Sequence, residues 1–316
     1  MGGRILVVGD IITDIVAVHS GSLAADSDTE ARITATGGGS AANAAAWLAY
    51  TGATVDLVGA VGVDLAGEER IAELTEAGVG CSCVAWSRTS PTGTVIVLTD
   101  GTRRTMVTDR GANHELRPSD VDEALAVLPE VTHLHLSGYT LLDGSSRPTG
   151  VHALAAGAAG GLSTSVDAAS AEPLRQVGAE QFLAWARGTG LLLANLDEAR
   201  VLTSTVDAEP ADVAVALGRS LGPTTGGRAP EVIVKLGPGG AVWACGDDVR
   251  VVSAEPATVA DTTGAGDAFA AGLLAARLGG ADVESALYAA VRLGTLAVGL
   301  VGGRPTARDA RDASEP

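Results

Sequence analysis

The segment Asp261-Thr-Thr-Gly-Ala-Gly-Asp267 combines two carboxylates and two glycines directly before an apolar, small-residue helix pattern. Gly264, Ala265 and Gly266 are therefore predicted to lie at a helix amino terminus, where free N–H groups and the helix dipole favour an anion. Asp267 would lie beside that anion, where a carboxylate can take the proton of a hydroxyl that attacks a phosphoryl group. The alternative is an aspartate-rich turn that merely stabilises the start of the helix.

A second glycine-rich segment, Gly37-Gly38-Gly39, precedes another small-residue helix pattern. Backbone without side chains lets a ligand approach closely, and Asn43 can both donate to and accept from hydroxyl groups. Asp14 lies in an apolar β-like segment near the expected end of the first strand, and one carboxylate can accept from two neighbouring sugar hydroxyls. A flexible turn and a solvated aspartate at a strand end explain these residues equally well when each is taken alone.

Two further motifs each follow a predicted strand. Asn195 and Glu198 have the spacing of a capping box, and Glu198 is also suited to a water-coordinated Mg²⁺. Lys235 ends a strand that leads into a glycine loop, Gly237 to Gly240, whose backbone can lie against a nucleotide. Alone, such a loop is a weak indication of function.

The charge balance excludes several kinds of partner. The net charge is −17 and the isoelectric point is about 4.6, whereas nucleic acids and anionic membranes are bound by basic surfaces. We therefore predict neither a nucleic acid nor a membrane as a partner. An anionic substrate would have to be bound by local features such as helix amino termini, backbone N–H groups and a divalent cation.

The chain contains a single lysine, Lys235, which is followed by leucine. A Walker A loop requires Gly-Lys followed by Ser or Thr, so a P-loop NTPase is excluded. The motifs of protein kinases are missing as well. No apolar run approaches the roughly 18 residues of a membrane span. Three cysteines without a metal-ligand or disulfide pattern are typical of a reducing cytoplasm, where we expect the protein.

Strand-like and helix-like segments alternate along the chain, beginning with a buried strand at residues 4–9. This alternation predicts an α/β fold in which helices cover both faces of a mostly parallel sheet. The segments 11–36 and 92–108 break the alternation and are predicted to form a small second sheet. No linker is long enough to divide the chain, so one domain is predicted over residues 1–316. Ligands should bind at the carboxyl ends of the strands, where we expect Gly9-Asp10, Asn195 and Asp261.

Taken together and in this order, the motifs resemble those of the ribokinase-like carbohydrate kinases, the PfkB family. The resemblance covers about residues 4–305, and the motif that ends in Asp267 is its most specific part. It implies a ribokinase-like three-layer αβα sandwich in which the segments 11–36 and 92–108 form a β-sheet lid over the acceptor. In several members this lid pairs two subunits, so a homodimer is expected.

The resemblance also implies an activity, the transfer of the γ-phosphoryl group of ATP to a hydroxymethyl group of a sugar, a nucleoside or a related small molecule. By this match Asp267 is the general base, and the backbone of Gly264, Ala265 and Gly266 forms the anion hole. The acceptor would be held by Asp14, Gly38, Gly39 and Asn43.

The family likeness further assigns the nucleotide and metal sites. Asn195 and Glu198 would organise the phosphates and Mg²⁺, with Glu198 acting through water. Lys235, Gly237 and Gly240 would line the ATP site. A K⁺ ion would lie behind the anion hole, held by Asp261, Thr263, Ala297 and Gly302.

Departures from the family pattern leave the acceptor open. Ribokinase itself has lysine where this chain has Ser40, and a carboxylate is missing between His133 and Tyr139. Tyr139 and Trp86 could stack on a base, which would suit a nucleoside kinase. Arg104 and Arg110 could meet a phosphorylated or acidic acceptor, although a surface role is the simpler interpretation. The remaining alternatives are a non-catalytic ligand sensor and a nicotinamide-dependent oxidoreductase, whose glycine fingerprint is misplaced here.

Overall fold

An eight-stranded sheet forms the centre of the protein, in a computed structural model that describes residues 3–100 and 104–305. The strand order is β14-β13-β12-β11-β10-β9-β1-β4, and all neighbouring pairs from β12 to β4 are parallel, whereas β13 and β14 add an antiparallel edge. The strands are β1 (Arg4–Val8), β4 (Val55–Val58), β9 (Val131–Ser137), β10 (Ser163–Asp167), β11 (Leu191–Asn195), β12 (Glu231–Lys235), β13 (Ala241–Cys245) and β14 (Asp248–Val252).

Helices cover both faces of this sheet, as the alternation of the sequence predicts. The helices are α1 (Ser40–Tyr50), α2 (Leu65–Glu76), α3 (Pro118–Val127), α4 (Tyr139–Leu142), α5 (Arg147–Ala159), α6 (Ala171–Val177), α7 (Ala179–Trp185), α8 (Leu196–Thr203), α9 (Pro210–Leu221), α10 (Ala265–Leu278) and α11 (Val283–Val298). The first strand shows the two faces directly, because successive side chains point in opposite directions. Leu6 and Val8 join one core, whereas Ile5 and Val7 join the other.

Four strands form a separate sheet, which we call the lid sheet. These strands are β2 (Ile12–His19), β3 (Ala31–Gly38), β7 (Gly93–Thr99) and β8 (Arg104–Asp109), in the order β3-β2-β7-β8. Asp14 lies inside β2, opposite Thr36 of β3. The expectation that Asp14 lies near the end of the first strand is therefore wrong, because β1 ends at Val8 and the chain leaves the central sheet before it reaches Asp14.

A third, two-stranded sheet pairs β5 (Ala60–Gly62) with β6 (Ala85–Ser87) in parallel. The sequence predicts one strand across residues 55–61, but the chain divides it at Gly59. A Cβ there would lie 2.7 Å from the Gly9 carbonyl oxygen, so the chain passes close to the end of β1 before it turns away.

Small residues allow α1, α10 and α11 to pack closely together. In α10 a Cβ at Gly272 would lie 2.8 Å from the Ala289 carbonyl oxygen of α11. Ala268 and Ala271 of α10 lie in the same core as Ala42 and Ala45 of α1. This packing brings the amino termini of α1 and α10 next to each other at the edge where the parallel strands end. Among the described residues, no helix is both long and apolar enough to cross a membrane.

Candidate active site

Asp267 lies in the first turn of α10 and is partly buried. Its two carboxylate oxygens accept hydrogen bonds from residues of α1: Ser40 Oγ donates at 2.8 Å and Asn43 Nδ2 donates at 3.0 Å. Burial raises the pKa of Asp267 to about 7, and the charge of Asp167 adds to the rise, while the two hydrogen bonds and Lys235 oppose it. The carboxylate can therefore exchange a proton near neutral pH.

The amino terminus of α10 is open for an anion. Gly264 is the N-cap residue, has a left-handed backbone with φ of 74°, and supplies no side-chain cap. A Cβ at this position would lie 2.6 Å from the Gly303 Cα, so glycine is required for both conformation and space. First-turn N–H groups have no partner within a helix; here the Ala265 N–H reaches the Thr262 carbonyl at 3.4 Å, whereas the Gly266 N–H has no backbone partner among the described residues.

The amino terminus of α1 is filled by the protein itself. The Asp10 carboxylate, directly beyond β1, accepts from the N–H groups of Ser40 at 3.2 Å and Ala41 at 3.4 Å. Ser137 Oγ also donates to Asp10 at 3.0 Å. Of the two glycine-flanked helix starts predicted from the sequence, that of α1 is occupied by Asp10, whereas that of α10 has no side-chain cap among the described residues.

Three charged side chains form a buried cluster beside the start of α10. Lys235 Nζ donates to Asp167 Oδ2 at 2.6 Å, and these side chains are 13% and 8% exposed. Burial lowers the pKa of Lys235, but Asp167 and Glu198 more than offset this effect and leave it above its usual value. Burial also raises the pKa of Glu198 to about 7, against the attraction of Lys235. A Cβ at Gly266 would lie 3.2 Å from Lys235 Nζ, so the ammonium group adjoins the open helix end.

Asn195 and Glu198 form the capping box that their spacing predicts. The Glu198 N–H donates to Asn195 Oδ1 at 2.9 Å, and the Asn195 N–H donates to Glu198 Oε2 at 2.7 Å. Asn195 Nδ2 donates to Glu198 Oε1 as well, at 2.6 Å. Since Glu198 also faces Lys235, it serves both the start of α8 and the charged cluster.

The loop after β12 contains the two glycines assigned to the nucleotide. Gly237 has φ of 55° and its side-chain position faces open space, whereas Gly240 has φ of 92° and a Cβ there would collide with the Val252 carbonyl of β14. The conformation of Gly240 is therefore required by the fold, and Gly237 is the more accessible of the two.

The predicted acceptor residues come together where the lid sheet meets the start of α1. A Cβ at Gly38 would collide with the Asp14 carboxylate, and a Cβ at Gly39 would lie 2.5 Å from the Asp10 carbonyl oxygen. Asn43 is buried and bonds to Asp267. Burial raises the pKa of Asp14 to about 6, while the nearby charge of Arg304 lowers it.

Tyr139 begins α4 at the carboxyl end of β9, and Arg110 covers its ring. The guanidinium carbon lies 5.2 Å from the ring centroid. Burial raises the pKa of Tyr139 to about 12, and the charges of Asp10 and Asp267 contribute, so the ring lies within electrostatic reach of the base. Arg110 Nε is buried and has no hydrogen-bond partner in the part of the chain that the structure describes. The side chain of Arg104 lies outside the described part of the chain.

The residues predicted to hold K⁺ lie between the start of α10 and the end of α11. Asp261 Oδ1 accepts from Thr263 N and Oγ1, at 2.9 and 2.8 Å, and Asp261 Oδ2 accepts from the Gly302 N–H at 3.1 Å. The Ala297 carbonyl accepts from the Leu300 N–H at 3.0 Å. The structure thus connects Asp261, Thr263 and Gly302 by hydrogen bonds to one carboxylate, and the cation site remains a prediction.

The side chains beside the start of α10 can be compared with the ligands that Mg²⁺ requires. Within the described ranges, no cluster of three or more His, Cys, Asp or Glu side chains could hold a metal. Mg²⁺ bound with substrate phosphates needs only one or two protein carboxylates. Glu198 and Asp167, both buried beside the open helix end, fit that requirement.

The sequence predictions missed three residues that the structure brings to the site: Ser40, Asp167 and Arg304. Asp10 was expected at this edge of the sheet, and Asp167 could have been found in the same way, because it is an aspartate at the carboxyl end of a predicted parallel strand. Ser40 and Arg304 carry no such signal, since each reaches its partner only through the packing of distant segments.

Comparisons with known proteins agree with this architecture. Residues 3–310 match the pfkB family of carbohydrate kinases. The chain is 32% identical over 293 residues to the ATP-dependent ribose-1-phosphate kinase of Halopiger xanaduensis, covering 89% of this chain and 88% of that protein. It is 28% identical over 286 residues to the fructokinase of Salmonella typhimurium, covering 87% and 84%.

A solved structure shows the same fold. The adenosine kinase from Sinorhizobium meliloti superimposes with a TM-score of 0.84 and 25% identity over 99% of each chain. The ribokinase-like fold with its separate small sheet is thereby confirmed. The chain belongs to the pfkB family of carbohydrate kinases and is a kinase.

Proposed function

We propose that this kinase transfers the γ-phosphoryl group of ATP to a hydroxymethyl group of a sugar, with Asp267 as the general base. The observation that carries the proposal is the position of Asp267, a carboxylate with a pKa of about 7 in the first turn of a helix whose amino terminus is open. A base is most effective when its pKa lies near the working pH. A ligand sensor would not need such a base.

The chain's own residues divide the work on the acceptor side. Asp14 and Asn43 bind the acceptor hydroxyls, and Gly38 and Gly39 let the sugar approach the backbone. Asp267 takes the proton of the attacking hydroxyl. The first-turn amides of α10 then stabilise the charge on the transferring phosphoryl group, as preorganised donors do in other enzymes.

On the nucleotide side, Lys235 adds a positive charge next to those amides. Asn195, Gly237 and Gly240 line the ATP site. Glu198 would hold Mg²⁺ through water, and the ion would neutralise charge on the phosphates. Asp261, Thr263, Ala297 and Gly302 would hold K⁺.

Arg110 favours an acceptor that carries an anionic group. A buried N–H without a partner is costly unless a ligand supplies an acceptor atom, and Arg110 Nε is such a group at the wall of the site. The similarity to a ribose-1-phosphate kinase supports the same class. We therefore propose a sugar phosphate as the first candidate.

A nucleoside is the second candidate, supported by the likeness to an adenosine kinase. A base could stack on Tyr139 only where its ring is free. Because the Arg110 guanidinium already covers that ring, we rank a nucleoside below a sugar phosphate. A neutral sugar, as for the fructokinase relative, leaves Arg110 Nε without a partner.

We also propose a homodimer formed through the lid sheet. Ile33, Ile96 and Val107 share one face of that sheet and are 65%, 40% and 56% exposed. Asp14 lies on the opposite face, so pairing through the apolar face leaves the acceptor side free. Light scattering at micromolar concentration should give a dimer mass for the native protein and a monomer mass for Ile33→Asp; a native monomer would remove the proposal.

The function is tested by ADP formation from Mg·ATP with ribose 1-phosphate, ribose, fructose and adenosine as acceptors. The native protein should prefer ribose 1-phosphate, and Asp267→Asn should abolish the reaction. Arg110→Gln should raise KM for the phosphorylated acceptor by about 10- to 100-fold, the value of a charge-assisted hydrogen bond, with KM for ATP unchanged.

Arg219→Gln is the matched control, because Arg219 is 70% exposed and pairs only with Asp247 among the described residues. It should leave both KM values unchanged. Preference for adenosine, with no effect of Arg110→Gln, would favour the nucleoside candidate. Native turnover by Asp267→Asn would contradict the assignment of the base.

A further inference from the structure

We propose that Arg304 is a positioning residue for the general base, acting through the side-chain amide of Asn43. The inference rests on the proposed role of Asp267. Arg304 Nε donates to Asn43 Oδ1 at 2.9 Å, and Asn43 Nδ2 donates to Asp267 Oδ2 at 3.0 Å. One amide group therefore connects the guanidinium to the base.

The chemistry of the two neighbours fixes the orientation of that amide. A guanidinium group can only donate hydrogen bonds, and an ionised carboxylate can only accept them. The oxygen of Asn43 must therefore face Arg304 and its NH₂ group must face Asp267. Without Arg304, no other described residue bonds to the oxygen of this amide and selects its orientation, and the reversed amide would point its oxygen at the carboxylate.

Arg304 also connects the amide to the acceptor-binding backbone. Its Nη2 donates to the Gly38 carbonyl at the end of β3. The guanidinium thus bridges Gly38 and Asn43, two of the residues proposed to bind the acceptor. Since Asn43 lies in α1 and Gly38 in the lid sheet, this bridge fixes the lid sheet relative to the base.

The preceding residue holds Arg304 in place. Trp47 Nε1 of α1 donates to the Gly303 carbonyl at 3.0 Å. A Cβ at Gly303 would lie 2.6 Å from Asn43 Nδ2, and Gly264 packs against the Gly303 backbone from the side of α10. The segment Gly303-Arg304 therefore contacts both helices whose amino termini form the site.

Stability alone does not account for a buried arginine here. The Arg304 side chain is 10% exposed, and its Nη1 lies 3.7 Å from Glu73 Oε2 and has no hydrogen-bond partner among residues 3–100 and 104–305. Burial lowers the pKa of the guanidinium to about 10. A buried charge that is incompletely paired contributes little to stability, which favours a role in the site.

The test compares Arg304→Met with Arg70→Met. Arg70 is a matched control, since its side chain is 4% exposed, pairs with the same Glu73, and has a buried Nε without a partner. Arg70 bonds to Thr13 of the lid sheet instead of Asn43. Both variants remove a buried guanidinium, but only one removes the contact to the amide of Asn43.

We expect Arg304→Met to lower kcat by about 100-fold, the effect of misplacing a reacting group by about 1 Å, with KM for ATP within about twofold. The Asn43 hydrogen bond lowers the pKa of Asp267, so the acid limb of the pH–kcat profile should move upward by about half a unit to one unit. Arg70→Met should leave that limb in place. Adding Arg304→Met to Asn43→Ala should cause little further loss.

An unchanged acid limb in Arg304→Met, or the same kcat in both single variants, would overturn the proposal. If Arg304→Met does not fold, the pH–kcat profile of Arg304→Lys tests the proposal instead. Lysine keeps the charge but cannot bridge Gly38 and Asn43 as the planar guanidinium does. Failure of the base assignment is distinguishable, since Asp267→Asn would then retain activity.

Discussion

The two sides of the α10 amino terminus are built in different ways. On the side proposed for the nucleotide, the buried Lys235 bonds to Asp167 and attracts the nearby Glu198. On the side proposed for the acceptor, Asp267 receives its direct hydrogen bonds from the neutral groups of Ser40 and Asn43. The pair of Lys235 and Asp167 is electrostatically compensated, whereas Asp267 has no ion-pair partner in direct contact among the described residues.

Burial raises the pKa of both Glu198 and Asp267 to about 7. The two carboxylates differ in their surroundings: Glu198 is bonded to the backbone and side chain of Asn195 and lies near Lys235, whereas Asp267 is bonded to Ser40 and Asn43 at the start of α10. We therefore expect changes on the nucleotide side to reduce stability, and changes on the acceptor side to reduce activity with little loss of stability.

The largest expected effect is that of Asp267→Asn on the acceptor side. It should lower kcat by about 100- to 10,000-fold, the usual contribution of a general base. The folded-state pKa of Asp267, about 7, lies above the ordinary value of 3.8. The folded state thus retains a proton that the unfolded state releases, and native stability falls as pH rises from about 4 through 7.

The amide introduced by Asp267→Asn does not titrate, so the variant should melt a few °C above the native protein at pH 8 and show a smaller difference at pH 5. Thermal melts at both pH values measure this effect. A variant that is less stable than the native protein at pH 8 would contradict the proposal that Asp267 is buried without a cation in contact with it.

Lys235→Met tests the compensated side. Removing one member of a buried ion pair leaves its partner unpaired, so we expect a loss of about 3–5 kcal/mol in the free energy of unfolding, measured by urea denaturation. The double variant Lys235→Met with Asp167→Leu should recover much of that stability without recovering activity. A stable single variant would show that the cluster is not electrostatically interdependent.

Two substitutions at Glu198 distinguish its role in the capping box from its proposed role at Mg²⁺. Glu198→Ala removes the capping box and should cost about 1–2 kcal/mol of stability, whereas Glu198→Gln keeps the acceptor oxygen and most of the box. Both should raise the Mg²⁺ concentration needed for half-maximal activity. If Glu198→Gln retains the native Mg²⁺ requirement, the capping box is the whole role of Glu198.

The smallest effect is expected for Ser40→Ala. The Ser40 hydrogen bond lowers the pKa of Asp267, so the acid limb of the pH–kcat profile should move upward by less than about one unit. Stability at pH 5 should change little, because the protonated carboxyl needs that donor less. Ser40→Thr, which keeps the hydroxyl, should preserve the native limb.

The parts of the site also differ in how much of their structure can be predicted from the sequence. The capping box of Asn195 and Glu198 was predicted correctly because its partners are three residues apart and its geometry is local. The amino terminus of α10 was predicted for the same reason, since glycines before a small-residue helix pattern mark it directly. The roles assigned to these residues in phosphoryl transfer stay predictions.

The second sheet was predicted correctly to include Asp14, because the segment 11–36 breaks the alternation of strands and helices, but the expected position of Asp14 near the end of β1 was wrong. The sequence does not say where β1 ends and β2 begins, and only the pairing with β3 and β7 sets the limits of β2. Similarly, the single strand predicted over residues 55–61 is divided because its second part pairs with β6.

The sequence by itself determined the α/β class, the open amino terminus of α10 and the position of its aspartate, because helix starts and strand alternation are encoded by neighbours along the chain. Only the tertiary structure decided that Asp10 closes the amino terminus of α1, that Ser40 and Asn43 bond to Asp267, and that Arg304 bonds to Asn43. These contacts join residues up to 261 positions apart, and such pairs are brought together by the packing of whole elements, which no local pattern records.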